Sequence, residues 1–289
     1  MKVNDKFYTP FSWIMVALIL AITFIVDPIL KLNTPMLVFL CAIPFVAVHA
    51  FRRYGTKGAI FFFVATYVLS SIWENMSILT GFPFGNYHYT GSPKLFEVPI
   101  IIGPAYISLG YVCMQVANSI LQEADTRAKK LSTMIVLSVL SAITMTVYDL
   151  ATDLQASTLQ GSWIWEEGGA FFGVPVSNFL GWWFCTLSFY IPFGLYLHKN
   201  PTLVKKEAKT NLLQFIIVYI CLGMTVVVAN VFGLDMTGQA TDKAGTAWNL
   251  ADLGGSAMLW AVFGMFTLAF LAIVNLYRIG LPGNNSEEK

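Results

Sequence analysis

Charge is the scarcest commodity in this chain of 289 residues: only 11% are Asp, Glu, Lys or Arg, and mean hydropathy is +0.66. Soluble domains carry about 25% charged residues, so a soluble globular fold is excluded. Cysteine is scarce too. Cys41, Cys113, Cys185 and Cys221 all fall inside apolar runs and no two lie at CxxC spacing. That pattern excludes a zinc site, thioredoxin chemistry and a disulfide framework, and leaves small apolar packing residues. His49, His88 and His198 are scattered, which excludes the clustered histidines of a membrane di-iron oxygenase. No basic patch with interleaved aromatics is present, so nucleic acid is not a partner. No Gly-rich dinucleotide fingerprint is present either. Neither a cofactor nor a metal is expected. No Ser/Gly linker or low-complexity tract divides the chain, so residues 1–289 read as one integral membrane domain, with only the GNNSEEK tail reading as disordered.

What is abundant is apolar sequence. Eight runs, near 12–31, 35–51, 57–80, 98–122, 131–151, 175–198, 211–234 and 254–279, approach or exceed the roughly 20 residues that a helix needs to cross a bilayer. The expected fold is therefore all-α, a polytopic transmembrane bundle of about eight spans. The first run is too long for a signal-peptide core and no small-residue cleavage site follows it, so it reads as an uncleaved span. Run 35–51 is short and contains Pro44. Of the 17 Lys and Arg residues, all but Lys31, Lys94 and Lys243 fall in the N-terminus, the alternate loops and the C-terminal tail. The positive-inside rule then places both termini in the cytoplasm.

One stretch breaks the apolar pattern. From Asp149 to Trp183 the chain has Asp149, Asp153, Glu166 and Glu167, four Trp and five Gly, with no Lys or Arg. A charge at membrane depth is costly, so carboxyl groups here are functional candidates. Asp149 and Asp153, at i and i+4, share a helix face. Glu74 stands near the end of another run and Asp27 near the end of the first. Proximity to helix C-termini and apolar surroundings both favour a protonated acid, as a general acid requires. Asp27, followed by Pro28, reads as the interfacial end of its span. Glu166 and Glu167 read as solvated, and Asp252 as a helix N-cap. Asn178 opens a run as either a polar site residue or helix-start chemistry.

Rings surround these acids. Trp163, Trp165, Trp182 and Trp183, with Phe82, Phe84, Tyr87 and Tyr89, form two clusters beside Gly-rich turns. Interfacial belts account for such rings in many membrane proteins. Aromatic faces also stabilise cations, by about 2 kcal/mol or more when desolvated. Acid beside π-faces is what alkene protonation needs. A faint internal repeat accompanies them. Glu74 precedes Val98–Pro99 by 24 positions, and Asp149 precedes Val174–Pro175 by 25. Either two related halves meet at a site, or Pro simply opens helices in their first turn.

At these residues the chain resembles the integral-membrane carotenoid biosynthesis family that includes the carotenoid 1,2-hydratases of bacteria and the bisanhydrobacterioruberin hydratases of archaea. The matching pieces are Glu74, GFPFGNYHY at 81–89, Val98–Pro99, the Asp149/Asp153 helix end, WIW at 163–165 and FGVPVSNFLGW at 172–182. They cover a core from about 70 to 185, and the last three spans match only in hydropathy. Relatives often carry Pro where Leu154 stands and Trp where Tyr106 stands.

The resemblance implies cofactor-independent hydration of the terminal C1=C2 bond of an acyclic (ψ) carotenoid end, as in lycopene or γ-carotene, giving a tertiary 1-hydroxyl. Asp149 or Glu74 would be the acid, and Asp153 or the remaining partner the base. Trp163, Trp165 and Trp182, with Phe84, would shelter the cation, while Asn178, Tyr87 and Tyr89 would orient the water. It also implies a multi-pass protein of a bacterial inner membrane, with a carotenoid substrate, lipid and other carotenoid biosynthesis enzymes as partners. Two rival readings stand beside it. One is a non-catalytic carotenoid or isoprenoid binder. The other is a membrane prenyltransferase using DLATD as a DxxxD motif; such enzymes need a second Asp-rich motif and basic residues for diphosphate.

Overall fold

The computed structural model of the chain describes residues 5–26, 29, 34–233 and 235–279. Asp27, Pro28 and the polar tail lie outside them. The fold is an all-α helix bundle. The first helix, α1, spans Asp5–Ala21 and runs on as a π-helical turn, Ile22–Val26. A long helical stretch, Thr34–Thr80, is broken at Gly55, where φ is 66° and ψ 178°. Only glycine adopts that backbone region without strain. The chain doubles back there, since the rings of Phe51 and Phe63 lie 5.9 Å apart. We therefore treat 34–54 as α2 and 56–80 as α3. Next come α4 (Ile102–Ile120), α5 (Leu131–Asp153) with a π-helical extension over Leu154–Leu159, α6 (Val176–Lys199) and α7 (Lys209–Val228). The last rod is α8 (Leu250–Leu259), a π-helical stretch Trp260–Met265, and α9 (Phe266–Tyr277).

Among the described residues six helices are long and apolar enough to cross a membrane, the bent 37–80 stretch counting as one. Helix α4 is not among them, for a physical reason: it is the central helix, packed against α3, α5, α7 and α9 and buried continuously from Ser108 to Ser119. A helix that meets protein on all sides can carry Ser108, Gln115, Asn118 and two tyrosines without exposing them to lipid. The turn between α2 and α3 is tied to the far ends of the bundle. Fully buried Arg53 grips Asp125 through Nε and Nη2, both at 2.7 Å, and Tyr54 donates to the same carboxylate at 2.7 Å. Burial alone would raise the Asp125 carboxyl, but the guanidinium and these hydrogen bonds hold it below its ordinary range.

The opposite end is roofed by short strands. Strand β1 (Tyr87–Tyr89) pairs antiparallel with β4 (Trp163–Trp165), Tyr87 facing Trp165 and Tyr89 facing Trp163. Strand β2 (Lys94–Leu95) pairs with β3 (Val98–Pro99). Strand β5 (Gln239–Thr241) pairs with β6 (Ala247–Asn249).

The faint repeat has a structural counterpart, with a constant offset of 76 positions. It relates β1 to β4, and the Leu95–Val98 pair to the Phe171–Val174 bridge. It also relates Phe96 to Phe172, two non-glycine residues at positive φ, 56° and 52°. Helices α3 and α4 correspond to α5 and α6. The antiparallel register is symmetric about the His88–Ile164 pair, so the two halves meet there across a pseudo-twofold axis.

Three local expectations need correction. Pro99 lies in β3 and Pro175 at the N-cap of α6, so neither occupies a first helical turn. The cap of α8 is Asn249, whose Oδ1 accepts from Ala251 and Asp252 N–H at 2.9 and 3.2 Å; Asp252 sits within the first turn. The helix-end expectation holds for Glu74, six residues before Thr80, but Asp149 stands farther in because helix-like backbone continues past Asp153 to Leu159. The macrodipole acts mainly within the last turn, so burial, not the dipole, dominates their surroundings.

Candidate functional site

The helix ends of α3 and α5 and the β1–β4 ribbon enclose a cavity of about 440 Å³. All ten residues expected from the sequence line it: Glu74, Phe84, Tyr87, Tyr89, Asp149, Asp153, Trp163, Trp165, Asn178 and Trp182. Their convergence has local causes. Ser77 of α3 donates to Gly85 O at 2.9 Å and accepts from Phe84 N–H at 3.1 Å, which folds the 81–86 turn back onto its own helix. Ser177 of α6 donates to Phe84 O at 2.8 Å. Gly181 lets α6 press against that turn, because a Cβ there would lie 2.7 Å from Phe84 Cδ1 and from Pro83 O. The ribbon is extended at both ends, by Glu166 N–H to Asn86 O at 2.9 Å and Thr90 N–H to Ser162 O at 3.2 Å.

Inside the cavity the three carboxyl groups are 3%, 2% and 1% exposed at Glu74, Asp149 and Asp153. Buried polar groups must find partners, and these do. Tyr106 donates to Glu74 Oε1 at 2.6 Å, and Tyr89 to Oε2 at 3.0 Å; Tyr87 donates to Oε2 as well. Asn178 bridges the two aspartates, donating through Nδ2 to Asp149 Oδ2 at 2.8 Å and to Asp153 Oδ2 at 2.6 Å. Trp163 donates to Asp153 Oδ1 at 2.8 Å. The Trp165 N–H is buried without a hydrogen bond of normal geometry, and Asp153 is the acceptor it faces. Asn178 thus lines the cavity with its amide held by the two aspartates. Tyr87 and Tyr89, expected to orient water, spend their hydroxyls on Glu74.

Other sequence candidates fall outside. Phe82 and Trp183 are 54% and 42% exposed and turn away from the cavity. Glu167 accepts from Asn86 at 2.8 Å on the surface. Glu166 pairs with Lys243 and with His88, and the Lys243 contact, then that of His88, holds its carboxyl below the usual range. Lys243 belongs to the β5–β6 hairpin, which also packs Trp248 against Phe172 in a tilted contact, 5.5 Å between ring centres.

Sequence reasoning missed Tyr106 as a partner of Glu74. Its ring stacks on Trp182 at 5.0 Å and 17°. The signal existed: Tyr106 and Trp182 each stand eight positions after their half's Val-Pro valine. Part of the cavity lining was also missed. Phe39 of α2, Leu109 of α4, and Val226 and Ala229 at the end of α7 and its π-helical continuation add apolar lining to the cavity. Among the described residues no Lys or Arg lines the cavity, and no His/Cys/Asp/Glu group has a metal-holding arrangement.

Buried acids, aromatic rings and apolar side chains lining one cavity suit a hydrophobic substrate with a reactive group. No curated protein and no solved structure matches the chain. A family model does match, over residues 34–238, which is wider than the 70–185 core and takes in α2 and α7. With most of its length covered by that match, the chain belongs to the carotenoid biosynthesis protein family.

Proposed function

We propose that this member of a carotenoid biosynthesis family is a hydratase. It adds water, without a cofactor, across the terminal C1=C2 bond of a ψ carotenoid end of the lycopene or γ-carotene type, leaving a tertiary 1-hydroxyl. The observation that carries the reading is the convergence of three buried carboxyl groups and a shell of aromatic rings on one cavity that no basic residue lines. A carboxylic acid gives H⁺ to C2, and the C1=C2 electron pair forms the new C–H bond. The positive charge left at C1 is tertiary and lies among ring faces of Trp163, Trp165 and Trp182, where about 2 kcal/mol or more of cation–π stabilisation is available per desolvated contact. Water then bonds to C1 and gives its extra proton to a second carboxylate. The proton gained by that carboxylate passes back to the first acid, and the sum is then one water added with the protein restored.

The cavity is large enough for an end group and adjoining isoprene units, for which Phe39, Leu109, Val226 and Ala229 supply apolar lining. A buried, lipid-facing workplace explains how such a substrate reaches its enzyme, here as a single membrane domain in a bacterial inner membrane beside the enzymes that make ψ ends. A diphosphate substrate is disfavoured, since phosphate recognition draws on Arg, Lys or metal and the DxxxD pair, Asp149 and Asp153, is already bound by Asn178.

The test is expression in cells that accumulate lycopene or γ-carotene. Product should gain one water, carry ¹⁸O from H₂¹⁸O, and form without oxygen. Asp149→Asn and Glu74→Gln should each lower it by about 10²–10⁴-fold, the range of general acid–base contributions. Glu167→Gln should cost little. Oxygen drawn from O₂ would make the protein an oxygenase. Undiminished product from both acid variants would remove these acids from the chemistry, and no hydrated product from the wild-type protein would leave a binding protein.

A further inference from the structure

Six carboxyl oxygens face this site, and their hydrogen bonds divide unequally. Glu74 receives three phenols, one on Oε1 and two on Oε2. A carboxylate has about four acceptor positions, so three are filled and one remains, on Oε1. Each phenol has a single O–H to give, and all three point at the same carboxyl group. Asp153 has a donor on each oxygen, Trp163 on Oδ1 and Asn178 on Oδ2. Asp149 receives Asn178 on Oδ2 alone. Among the described residues its Oδ1 accepts no hydrogen bond, although the side chain lines the cavity.

Resting on the hydration reading, we infer that Asp149 is the proton donor, through Oδ1, and that Glu74 is the fixed carboxylate that accepts the proton of the attacking water. Oδ1 is the oxygen with no protein donor in its way, so a proton can sit there and be aimed at C2. Asp153 and Asn178 are positioning residues. Asp153 holds the Asn178 amide, and the amide holds Asp149 by its other oxygen. Two aspartates on one amide share a single proton more easily than they carry two charges. Glu74 is built for the opposite task, since three donors favour an acceptor that keeps its charge. Its open position on Oε1 admits one water. Tyr106 also couples this carboxylate to the cation shelter, through its stack on Trp182.

The 76-position repeat supports the division. Glu74 belongs to the half made by α3, β1 and α4, and Asp149 to the half made by α5, β4 and α6. Equivalent positions have diverged in chemistry. Tyr87 and Tyr89 correspond to Trp163 and Trp165, Ile102 to Asn178, and Tyr106 to Trp182. The first half gathers hydroxyl donors around one acid. The second supplies an amide and indoles around two. Proton and water are therefore handled by opposite sides of the pseudo-twofold axis.

The experiment separates the two steps in D₂O. If Asp149 protonates C2 but no base activates water, the cation returns a proton from C2 and the double bond re-forms. Each event in which the original C2 hydrogen leaves, and not the deuteron just added, puts deuterium into unhydrated substrate. Glu74→Gln should thus lose hydration by about 10²-fold or more while the recovered carotenoid carries deuterium at C2. Asp149→Asn should give neither product nor deuterium. Tyr106→Phe, which removes one hydroxyl and keeps both acids, should lower hydration by about tenfold and raise the ratio of exchange to hydration; this variant serves if Glu74→Gln fails to accumulate. Exchange by Asp149→Asn, or an unchanged ratio in Tyr106→Phe, overturns the assignment. A wild-type protein that forms no hydrated product overturns instead the reading on which it rests.

Discussion

Asn178 shows how one side chain can hold a site together. Its amide gives both N–H groups to carboxyl oxygens, at 2.8 Å to Asp149 and 2.6 Å to Asp153, and it is 2% exposed. Replacing it with leucine keeps the volume close but strips a donor from each acid. An unpaired buried acceptor costs about 1–3 kcal/mol, so Asn178→Leu should melt at a lower temperature in detergent. A misplaced acid should also cost about 10²-fold in hydrated product. Scanning calorimetry or fluorescence melting checks the first outcome and carotenoid mass spectrometry the second. Wild-type values for both would mean that the amide is not needed to hold the two acids. The sequence raised Asn178 as a site residue or a helix-start residue. Only the fold could choose, because α5 and α6 had to be packed side by side before the amide could meet both acids.

At the scale of elements, the turn at Gly55 decides how the first third of the chain is laid down. Without it, 34–80 would be one rod; with it, α2 and α3 run as neighbours and Glu74 ends at the same face as Asp149. The space beside Gly55 is open, with nothing within 4 Å of an added Cβ. The cost of Gly55→Ala is then backbone strain alone, about 1–3 kcal/mol for a residue forced into this region. The variant should insert but show a lower thermal midpoint, with activity preserved in proportion to the folded fraction. An unchanged midpoint would show that the turn tolerates a side chain. The sequence located this break, as the charged gap between runs ending near 51 and beginning near 57, though not its geometry. It misjudged the prolines, because a Val-Pro pair fits the short β3 strand as readily as it fits the first turn of a helix.

For the whole molecule, orientation is the open property with the plainest test. The skew of Lys and Arg predicts that the Arg53–Asp125 end is cytoplasmic and that the acid cavity and its strand roof lie on the outer side. Gln160 is exposed beside the roof and Lys129 is exposed at the opposite end. In a background with Cys41 replaced by alanine, Gln160→Cys should react with an impermeant thiol reagent added outside intact cells. Lys129→Cys should react only after permeabilisation. The reverse pattern would invert the molecule and bring water to the cavity from the cytoplasm.

Membrane class, approximate helices and ten of the residues that line the cavity were readable from the residues themselves. Each rests on something local: the cost of placing charge in lipid, the length of an apolar run, and short motifs rich in acids and rings. The ten site residues share one cavity, yet nothing local says which hydroxyl meets which carboxyl. The pairing of Tyr87 with Trp165, the three phenols on Glu74, the buried course of α4 and the unbonded Oδ1 of Asp149 were decided by tertiary packing. The reason is distance along the chain. Tyr106 lies 32 positions from Glu74, and Asn178 lies 29 from Asp149. Their contacts form only when helices from two related halves close around a common axis, and burial then leaves each polar atom the partners that the fold has brought within reach.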